Sequence, residues 1–403
     1  MTSSTRVVWD PVLTAYDWGP DHPMSPVRLE LTARLLDDLG VLDRPGVQVR
    51  GTAAVADDAL LGTVHLPEYV AAVRRVSQDP RRVDLEHGLG TEDDPAFAGM
   101  HEASARILAA SVECADDLWR GDVAHAVNFA GGLHHAMPGR ASGFCVYNDV
   151  AAAIRRLLAS GARRVAYVDL DVHHGDGVQA AFYDDPRVLT VSLHQSGRTL
   201  FPGTGFPEET GGPGAEGTAA NLALPPGTRD AAWLRGLHAV AHPLVRAFEP
   251  DVLVTQHGCD THLLDPLADL SLSVDAQRAA ADSLHELSHE VCDGRWLATG
   301  GGGYAVVDVV PRTWSHVVAI AAHAPVRPST PTPQAWREHV RRTLRREAPL
   351  LMGDAGPDGE ADDRSPWYRP WGSGHDPEDP VDRAVLATRT AVFPSQGLDP
   401  WFD

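Results

Sequence analysis

Short apolar segments alternate with longer amphipathic segments along most of the chain. The apolar segments are rich in β-branched residues, are bounded by Gly, Asp or Pro, and lack a strict alternation of polar and apolar positions. This pattern is typical of strands that are covered on both faces in a parallel sheet. It predicts strands at residues 124–130, 164–169, 188–193, 251–256 and 296–299.

The amphipathic segments carry apolar residues at the spacing of a helix that buries one face. Because they alternate with the strands, we expect an α/β fold with a central parallel sheet flanked by helices. Ligands of such sheets bind at the carboxyl ends of the strands. The predicted helices are residues 27–39, 67–77, 101–119, 149–160, 231–248, 274–291 and 311–322.

Two stretches depart from this alternation. Residues 197–228 are rich in Gly and Pro and lack periodicity, which predicts a long loop that serves as a wall or a lid. Near residue 325 the composition changes to one rich in Gly, Asp, Pro and Trp, with one segment of helical spacing at 334–346. We therefore predict a main domain at residues 1–325 and a C-terminal extension at 326–403 that is packed on it or partly disordered.

The charge balance argues against nucleic acid as a partner. The chain has 403 residues, with 34 Lys and Arg against 55 Asp and Glu, a formal charge of −21. Phosphate binding needs a basic patch, and the sequence shows no basic run. No window approaches the roughly 20 apolar residues that cross a bilayer. Four widely spaced cysteines are typical of reduced thiols, so we expect a cytoplasmic protein.

The densest chemistry follows the predicted strand at 164–169. Residues 169–177 read Asp-Leu-Asp-Val-His-His-Gly-Asp-Gly. Side chains at every second position of a strand point to one side, so Asp169, Asp171 and His173 project together. Burying carboxylates in such a place is costly unless a cation offsets them. A metal ion is the simplest answer.

Four further clusters lie at predicted strand ends, and each alone has an ordinary structural explanation. They are residues 131–136 with His134 and His135, 142–149 with Phe144, 256–260 with Asp260, and 300–304 with Tyr304.

Taken together, the clusters indicate a hydrolytic metal site. Asp171, His173 and Asp260 form a three-ligand set that leaves a position for water, and a zinc-bound water is a nucleophile near neutral pH. His134 and His135 can supply a base and an electrostatic stabiliser. No Ser or Cys nucleophile elbow and no phosphate-binding loop competes with this interpretation.

Other acids and a tyrosine complete the hypothesis. Asp169 and Asp176 are available to fix the tautomers of the two histidines. Tyr304 can donate to an oxyanion that develops opposite the metal.

At this point the sequence resembles the zinc-dependent histone deacetylase superfamily, in particular its bacterial class I-like acetoin utilization deacetylase branch. Nine motifs occur in the order and spacing of that family and together cover roughly residues 17–314. The motifs are residues 19–28, 90–95, 131–136, 143–149, 169–177, 192–194, 201–205, 258–261 and 300–304.

The resemblance implies an arginase/deacetylase-like fold and a metal-dependent hydrolase that removes acyl groups from lysine side chains of proteins. Zinc, with Fe²⁺ as the alternative, would be held by Asp171, His173 and Asp260. His135 would be the general base and then the acid for the leaving amine, with His134 mainly electrostatic. The expected partner is an acetylated protein or peptide.

The resemblance also implies substrate and potassium sites. Phe144 and Phe201 would flank a narrow tunnel, Leu267 would line its mouth, Asp93 would anchor the substrate backbone, and Arg28 would belong to an inner acetate-release cavity. A structural K⁺ would be bound behind the zinc. Its ligands would be backbone carbonyls of Asp169, Asp171 and His173, together with Ser192 and Leu193.

Two residues depart from the family pattern without removing a proposed catalytic group. His257 occupies a position where Tyr or Asn is common, so its protonation could tune the zinc or it could be inert. Leu133 occupies a position where eukaryotic relatives often have a bulky aromatic residue.

Three other functions share part of this pattern. An arginase-type enzyme would need a second pair of bridging acids, whereas Asp260 is followed by Thr261 and His262. An acetylpolyamine deacetylase would use the same chemistry on a small cation. A non-enzymatic acyl-lysine-binding protein is disfavoured because every expected catalytic residue is present.

Overall fold

The fold is built on one parallel sheet. In a computed structural model that describes residues 4–51, 54–354 and 363–403, eight strands pair in the order β2-β1-β3-β8-β7-β4-β5-β6, and every pairing is parallel. The strands are β1 Thr5–Val8, β2 Val47–Arg50, β3 His125–Asn128, β4 Val165–Asp169, β5 Val188–Gln195, β6 Ala219–Leu224, β7 Val252–Gln256 and β8 Trp296–Thr299.

Helices connect and cover the strands. The central strands β3, β8, β7, β4 and β5 are buried at every position, which explains why their sequences show no polar face. The helices are α1 Val27–Asp38, α2 Asp58–Leu61, α3 Pro67–Gln78, α4 Met100–Arg120, α5 Asp149–Ala159, α6 Asp176–Phe182, α7 Asp230–Phe248, α8 Val274–Cys292, α9 Val310–Ala321, α10 Gln334–Leu344 and α11 Pro380–Val392.

The structure confirms the α/β fold with a parallel sheet. Each of the five predicted strands is present, and the predicted helices match α1, α3, α4, α5, α7, α8, α9 and α10 with small shifts at their ends. Within the described residues, no helix is long and apolar enough to cross a membrane.

The prediction of a continuous loop at residues 197–228 is wrong in part. Its last third contains β6, which pairs with β5 and packs against α11. The β6 sequence, Ala-Ala-Asn-Leu-Ala-Leu, is rich in alanine, which has little intrinsic preference for a strand. Its burial between neighbouring elements makes it a strand, and the sequence alone does not show those neighbours.

The C-terminal extension contains a helix that the sequence analysis missed. Helix α11 packs against α7 as well as β6. Asp382 on α11 forms a buried ion pair with Arg235 on α7, with Nε and Oδ1 2.6 Å apart. Residues 355–362 of this extension lie outside the described part, and the domain division at residue 325 stays a prediction.

Candidate active site

The predicted site residues meet at one edge of the sheet. The segments that follow β3, β8, β7 and β4 come together there because these four strands are neighbours and all point the same way. They carry, in that order, His134 with His135, Tyr304, Asp260, and the pair Asp171 and His173.

The three predicted metal ligands form a buried cluster. One ligand atom from each of Asp171, His173 and Asp260 lies within 4.8 Å of the others. The His173 Nδ1 lies 3.1 Å from Asp171 Oδ1 and 3.2 Å from Asp260 Oδ2, so one imidazole nitrogen faces two carboxylates. The relative exposure of these residues is 1%, 8% and 0%.

The electrostatics of this cluster fit a cation. Burial and the neighbouring Asp171 raise the pKa of Asp260 to about 7, because two buried carboxylates resist carrying charge together. Burial opposes a charge on His173 as well, but the two carboxylates outweigh it and raise its pKa to about 10. A positive charge is thus favoured between the two buried carboxylates, and a dication bound there in place of the His173 proton would meet one nitrogen and two carboxylate donors, a set that suits zinc or ferrous iron.

Neighbouring groups hold the carboxylates in place. Asp171 Oδ2 accepts hydrogen bonds from Gln256 Nε2 at 2.7 Å and from the Gly302 backbone N–H at 2.8 Å. Asp260 Oδ1 accepts from the Val172 N–H at 2.8 Å. A side chain at Gly258 would place its Cβ 2.1 Å from Asp171 Oδ2, so glycine is needed there for space. The sequence analysis missed Gln256 because a polar residue at a strand end is unremarkable by itself.

The two histidines each have a carboxylate partner, as the sequence analysis predicted for them. His134 Nδ1 lies 2.7 Å from Asp169 Oδ2, and His135 Nδ1 lies 2.6 Å from Asp176 Oδ1. The two imidazole rings are 4.0 Å apart, and all four side chains are buried. With its Nδ1 proton held by a carboxylate, each ring directs Nε2 away from that partner.

The pKa values of the two histidines are shifted in opposite directions. Burial disfavours a charge on His134, but Asp169 and Asp171 outweigh it and raise its pKa to about 9. Burial and the charge on His134 lower the pKa of His135 to about 4, in spite of Asp176. At neutral pH the pair therefore consists of one imidazolium and one neutral imidazole, which is the division of roles that acid–base catalysis needs.

A buried acid that was not predicted positions the histidine pair. Asp149, the first residue of α5, accepts hydrogen bonds from the backbone N–H groups of Gly132 and Leu133 at 2.8 to 3.1 Å. The Asn148 side chain caps α5 and donates to the carbonyl of His134 at 3.2 Å. In the sequence, an Asn-Asp pair before an apolar helix is an ordinary helix-start signal, and it gives no sign of these further contacts.

Tyr304 is anchored through its backbone. Its N–H donates to Asp265 Oδ2 at 2.8 Å, and its ring stands edge-on to Phe144 with the centroids 5.7 Å apart. Burial, Asp260 and Asp171 raise the pKa of Tyr304 well above its ordinary value, so its hydroxyl stays a hydrogen-bond donor. Asp265 was not predicted, since only the fold brings it to the backbone of residue 304.

Two neighbouring cavities that share four lining residues lie beside the predicted metal ligands. The outer cavity has a volume of about 230 Å³ and is lined by Asp93, Phe144, Leu200, Phe201 and Leu267 together with residues of the site. The inner cavity, of about 20 Å³, has room for one water-sized group. Its lining includes His134, Leu133 and Asp171. His135, Gly143, His173 and Tyr304 border both.

Arg28 lies outside the residues that line these cavities. Its guanidinium donates to the carbonyls of Gly301 and Gly303 at 2.8 and 3.3 Å and lies over the ring of Trp314. In this position it supports the glycine loop that precedes Tyr304. A role in an acetate-release cavity stays a prediction.

His174 and its neighbour His194 hold the loop that carries Phe201. His174 Nδ1 lies 2.9 Å from Thr204 Oγ1, and His194 Nε2 lies 2.9 Å from the carbonyl oxygen of Gly205. Glu209 accepts from the Gly205 N–H at 2.8 Å. These contacts account for His174, to which the sequence analysis gave no role.

Three of the predicted potassium ligands, Asp169, Ser192 and Leu193, lie on adjacent strands, whereas Asp171 and His173 follow the end of β4. Asp169 ends β4 and is the register partner of Ser192 on β5, which is followed by Leu193. The Asp169 side chain is already used by His134 and by the Tyr167 hydroxyl, which donates to it at 2.6 Å. The predicted K⁺ site would therefore depend on backbone carbonyls.

His257 contacts its own strand. Its Nε2 lies 2.7 Å from Thr255 Oγ1, and its ring stands edge-on to Trp296. Burial lowers the pKa of His257 to about 3, so the imidazole is neutral at physiological pH. The sequence left open whether His257 tunes the zinc through its protonation or is inert, and these contacts favour an inert residue.

With this geometry described, comparison with known proteins defines the class. Residues 22–321 match the histone deacetylase domain. The chain belongs to the histone deacetylase family. Membership of this family identifies the chain as an enzyme, a hydrolase that acts as a deacetylase. Members of the family are generally metal-dependent.

The relatives define the branch of the family. The acetoin utilization protein AcuC of Bacillus subtilis (strain 168) is 40% identical over 312 residues, which cover 77% of this chain and 80% of the relative. AcuC of Staphylococcus xylosus is 36% identical over 339 residues, covering 83% and 87% of the two chains. This chain is thus in the acetoin utilization branch of the histone deacetylase family, as its motifs predicted.

Proposed function

We propose that this chain hydrolyses the acetyl-amide bond of acetylated lysine side chains in proteins or peptides, with zinc bound by Asp171, His173 and Asp260. Fe²⁺ is the alternative metal. One observation carries the proposal. Two of the three ligands, Asp171 and His173, border the same inner cavity as the His134–His135 pair and Tyr304, and a wider cavity lined by aromatic residues adjoins it.

A divalent metal held by these three residues would lower the pKa of a bound water and polarise the acyl carbonyl. His135 is the general base in the proposed mechanism. It is neutral at pH 7, and Asp176 keeps its proton on Nδ1, so Nε2 accepts the proton of the attacking water. The same nitrogen then delivers that proton to the departing lysine nitrogen.

His134 and Tyr304 stabilise the negative charge that develops on the acyl group. Against the effect of burial, Asp169 raises the pKa of His134 and favours its imidazolium form, which puts positive charge beside the acyl group. The Tyr304 hydroxyl donates a hydrogen bond to the acyl oxygen, and the hydrogen bond from the Tyr304 backbone N–H to Asp265 fixes the place from which it does so.

The outer cavity suits a long aliphatic side chain. Phe144 and Phe201 provide apolar walls, and Leu267, 37% exposed, stands at the mouth. Asp93 is exposed beside them, where its carboxylate can accept hydrogen bonds from the backbone of a bound peptide. A lysine side chain placed along this path would bring its acetyl group to the inner cavity.

Two further assignments accompany the proposal. A structural K⁺ would be bound by backbone carbonyls around Asp169, Ser192 and Leu193. A cytoplasmic location agrees with the four free, buried cysteines.

The charge of the chain supports a second candidate substrate, an acetylpolyamine. A formal charge of −21 favours the approach of small cations.

The test is acetate release by metal-loaded protein from three substrate classes: acetyl-lysine peptides, peptides with longer acyl groups, and acetylpolyamines. We expect the highest kcat/KM for acetyl-lysine peptides. A higher kcat/KM for acetylpolyamines would show that the preferred substrate is the small cation and not a protein. If folded, zinc-loaded protein turned over none of them, the proposed enzyme function would be wrong and a binding function would take its place.

Tyr304→Phe tests the role of the hydroxyl. We expect kcat to fall about 10²-fold or more, as for the loss of an oxyanion donor, while zinc content and Tm stay at wild-type values. Asp171→Ala should instead lower the zinc content itself. A near-normal rate for Tyr304→Phe would remove Tyr304 from the mechanism.

A further inference from the structure

A second cluster of metal-ligating side chains lies at the opposite edge of the sheet from the active site. It consists of four histidines that are far apart in the sequence, and we refer to it as the four-histidine cluster. His125 is the first residue of β3, His285 and His289 are one turn apart near the end of α8, and His323 follows the end of α9. The amino ends of the strands lie on this side, so the cluster takes no part in the site described above.

The ring nitrogens of the four-histidine cluster converge. His125 Nε2 lies 3.0 Å from His323 Nε2 and 3.2 Å from His285 Nε2, and the Nε2 atoms of His285 and His289 are also 3.2 Å apart. An imidazole nitrogen carries either one hydrogen or one lone pair. Four converging nitrogens can therefore form at most two good N–H···N bonds, whereas a metal ion would use all four lone pairs.

The arrangement of the rings is tetrahedral. All six separations between the ring centroids fall between 4.8 and 5.4 Å. Four points with nearly equal separations lie at the corners of a tetrahedron, because in a square the diagonals would be about 1.4 times the sides. The square arrangement is the one that Cu²⁺ and Ni²⁺ favour.

The spacing of the nitrogens fits zinc. Zinc–nitrogen bonds of about 2.0–2.1 Å in a tetrahedral site place the nitrogens about 3.3–3.4 Å apart. Three of the six nitrogen separations, at 3.0 to 3.2 Å, are slightly shorter, and one ligand nitrogen from each histidine lies within 4.8 Å of the others, so a small rearrangement of the rings would admit the ion. His125 is buried, while His289 and His323 are exposed, which gives an ion a route from solvent.

We propose that His125, His285, His289 and His323 form a second metal site, which binds Zn²⁺ or another tetrahedrally coordinated dication that prefers imidazole. The ion would join the start of β3 to the ends of α8 and α9, three elements that are distant in sequence. The site is structural, since it stabilises the folded chain and lies outside the reaction path.

Metal stoichiometry tests the proposal without reference to activity. Untagged protein carrying Asp171→Ala is stripped with a chelator, dialysed against Zn²⁺, and analysed by mass spectrometry for bound metal. We expect one zinc per chain in this variant, and loss of that zinc when His285→Ala and His289→Ala are added. Both positions are on the solvent side of the cluster, so these substitutions spare the buried His125.

The control uses another histidine pair with helical spacing. His238 and His242 lie one turn apart on α7 with their ring centroids 4.2 Å apart, and among the residues that the structure describes they belong to no group of three or more metal-ligating side chains. His238→Ala in the Asp171→Ala protein should keep the zinc. If the His285→Ala/His289→Ala protein kept its zinc as tightly as its parent, or if the Asp171→Ala protein bound none, the proposal would be overturned.

Two further measurements address the geometry and the role of the site. Cobalt(II) in the Asp171→Ala protein should give the intense visible absorption of tetrahedral coordination. The weak bands of octahedral cobalt(II) would contradict the proposed tetrahedral site. Zinc should raise the Tm of the Asp171→Ala protein and leave that of the His285→Ala/His289→Ala derivative unchanged, and an equal shift in both would exclude a structural site. With Asp171 intact, His285→Ala/His289→Ala should keep acetate release within about twofold of wild type if the site is only structural.

Discussion

Gly258→Ala should weaken metal binding without adding or removing any charge. A Cβ at this position would lie 2.1 Å from Asp171 Oδ2, whereas an ordinary contact is 3.4 Å or more, so the oxygen must retreat by about 1.3 Å. That oxygen is held by Gln256 Nε2 and the Gly302 N–H. Each hydrogen bond to a charged group contributes about 1.5–3 kcal/mol, so losing both costs about 3–6 kcal/mol.

This cost appears in the affinity for zinc. A loss of about 3 kcal/mol corresponds to about 10²-fold weaker binding, and we expect at least that change. The assay is competition for Zn²⁺ between stripped protein and a chromophoric chelator, with Tm measured on the same samples. Gly372→Ala is the control, because a Cβ there meets nothing within 4 Å. Wild-type zinc affinity in a folded Gly258→Ala protein would refute the reasoning.

Three other substitutions test parts of the structure around the site. Asp176→Asn should lower kcat about 10²-fold or more at unchanged zinc content, because the amide no longer fixes the His135 tautomer. The assay is pre-steady-state acetate release, and a chemical step as fast as in the wild type would contradict this prediction. Asp354→Asn should cost about 2–4 kcal/mol of unfolding free energy at pH 7. Burial opposes its charge, but His262 and Arg312 hold the pKa of Asp354 well below its usual range, so this contribution is complete above about pH 4 and is lost as the pH falls. Urea unfolding at pH 7 and pH 3 measures it, and an equal difference at both would exclude the ion-pair explanation. Glu209→Ala should raise KM more than it lowers kcat, because the substitution releases the loop that borders the cavity mouth. Steady-state kinetics measures both constants, and an unchanged KM would argue against this role of the loop.

The main architecture and the reacting groups of the candidate site could be predicted from local sequence. Apolar runs without alternation indicate buried parallel strands, and motifs placed after such runs must share one edge of the sheet. Asp171, His173 and Asp260 follow two such runs, and residues 169–177 also offer Asp169 and Asp176 as acids available to the two histidines. The structure shows each of these proximities.

The groups that orient the site could not be predicted in the same way. Gln256, Asp149 and Asp265 are ordinary polar residues in the sequence, and their roles depend on which backbone N–H or side chain the fold brings to them. Strand β6 shows the same limit, because its alanines become a strand only through burial.

The four-histidine cluster shows most clearly where sequence information ends. The sequence by itself contains only the helical spacing of His285 and His289, which is common on amphipathic helices. The placement of β8 between β3 and β7 brings His125 and His323 to the same point. Strand and helix formation depends on patterns a few residues long, so the sequence determines these elements locally. Strand order, and with it both clusters of metal-ligating residues, depends on how the whole chain packs.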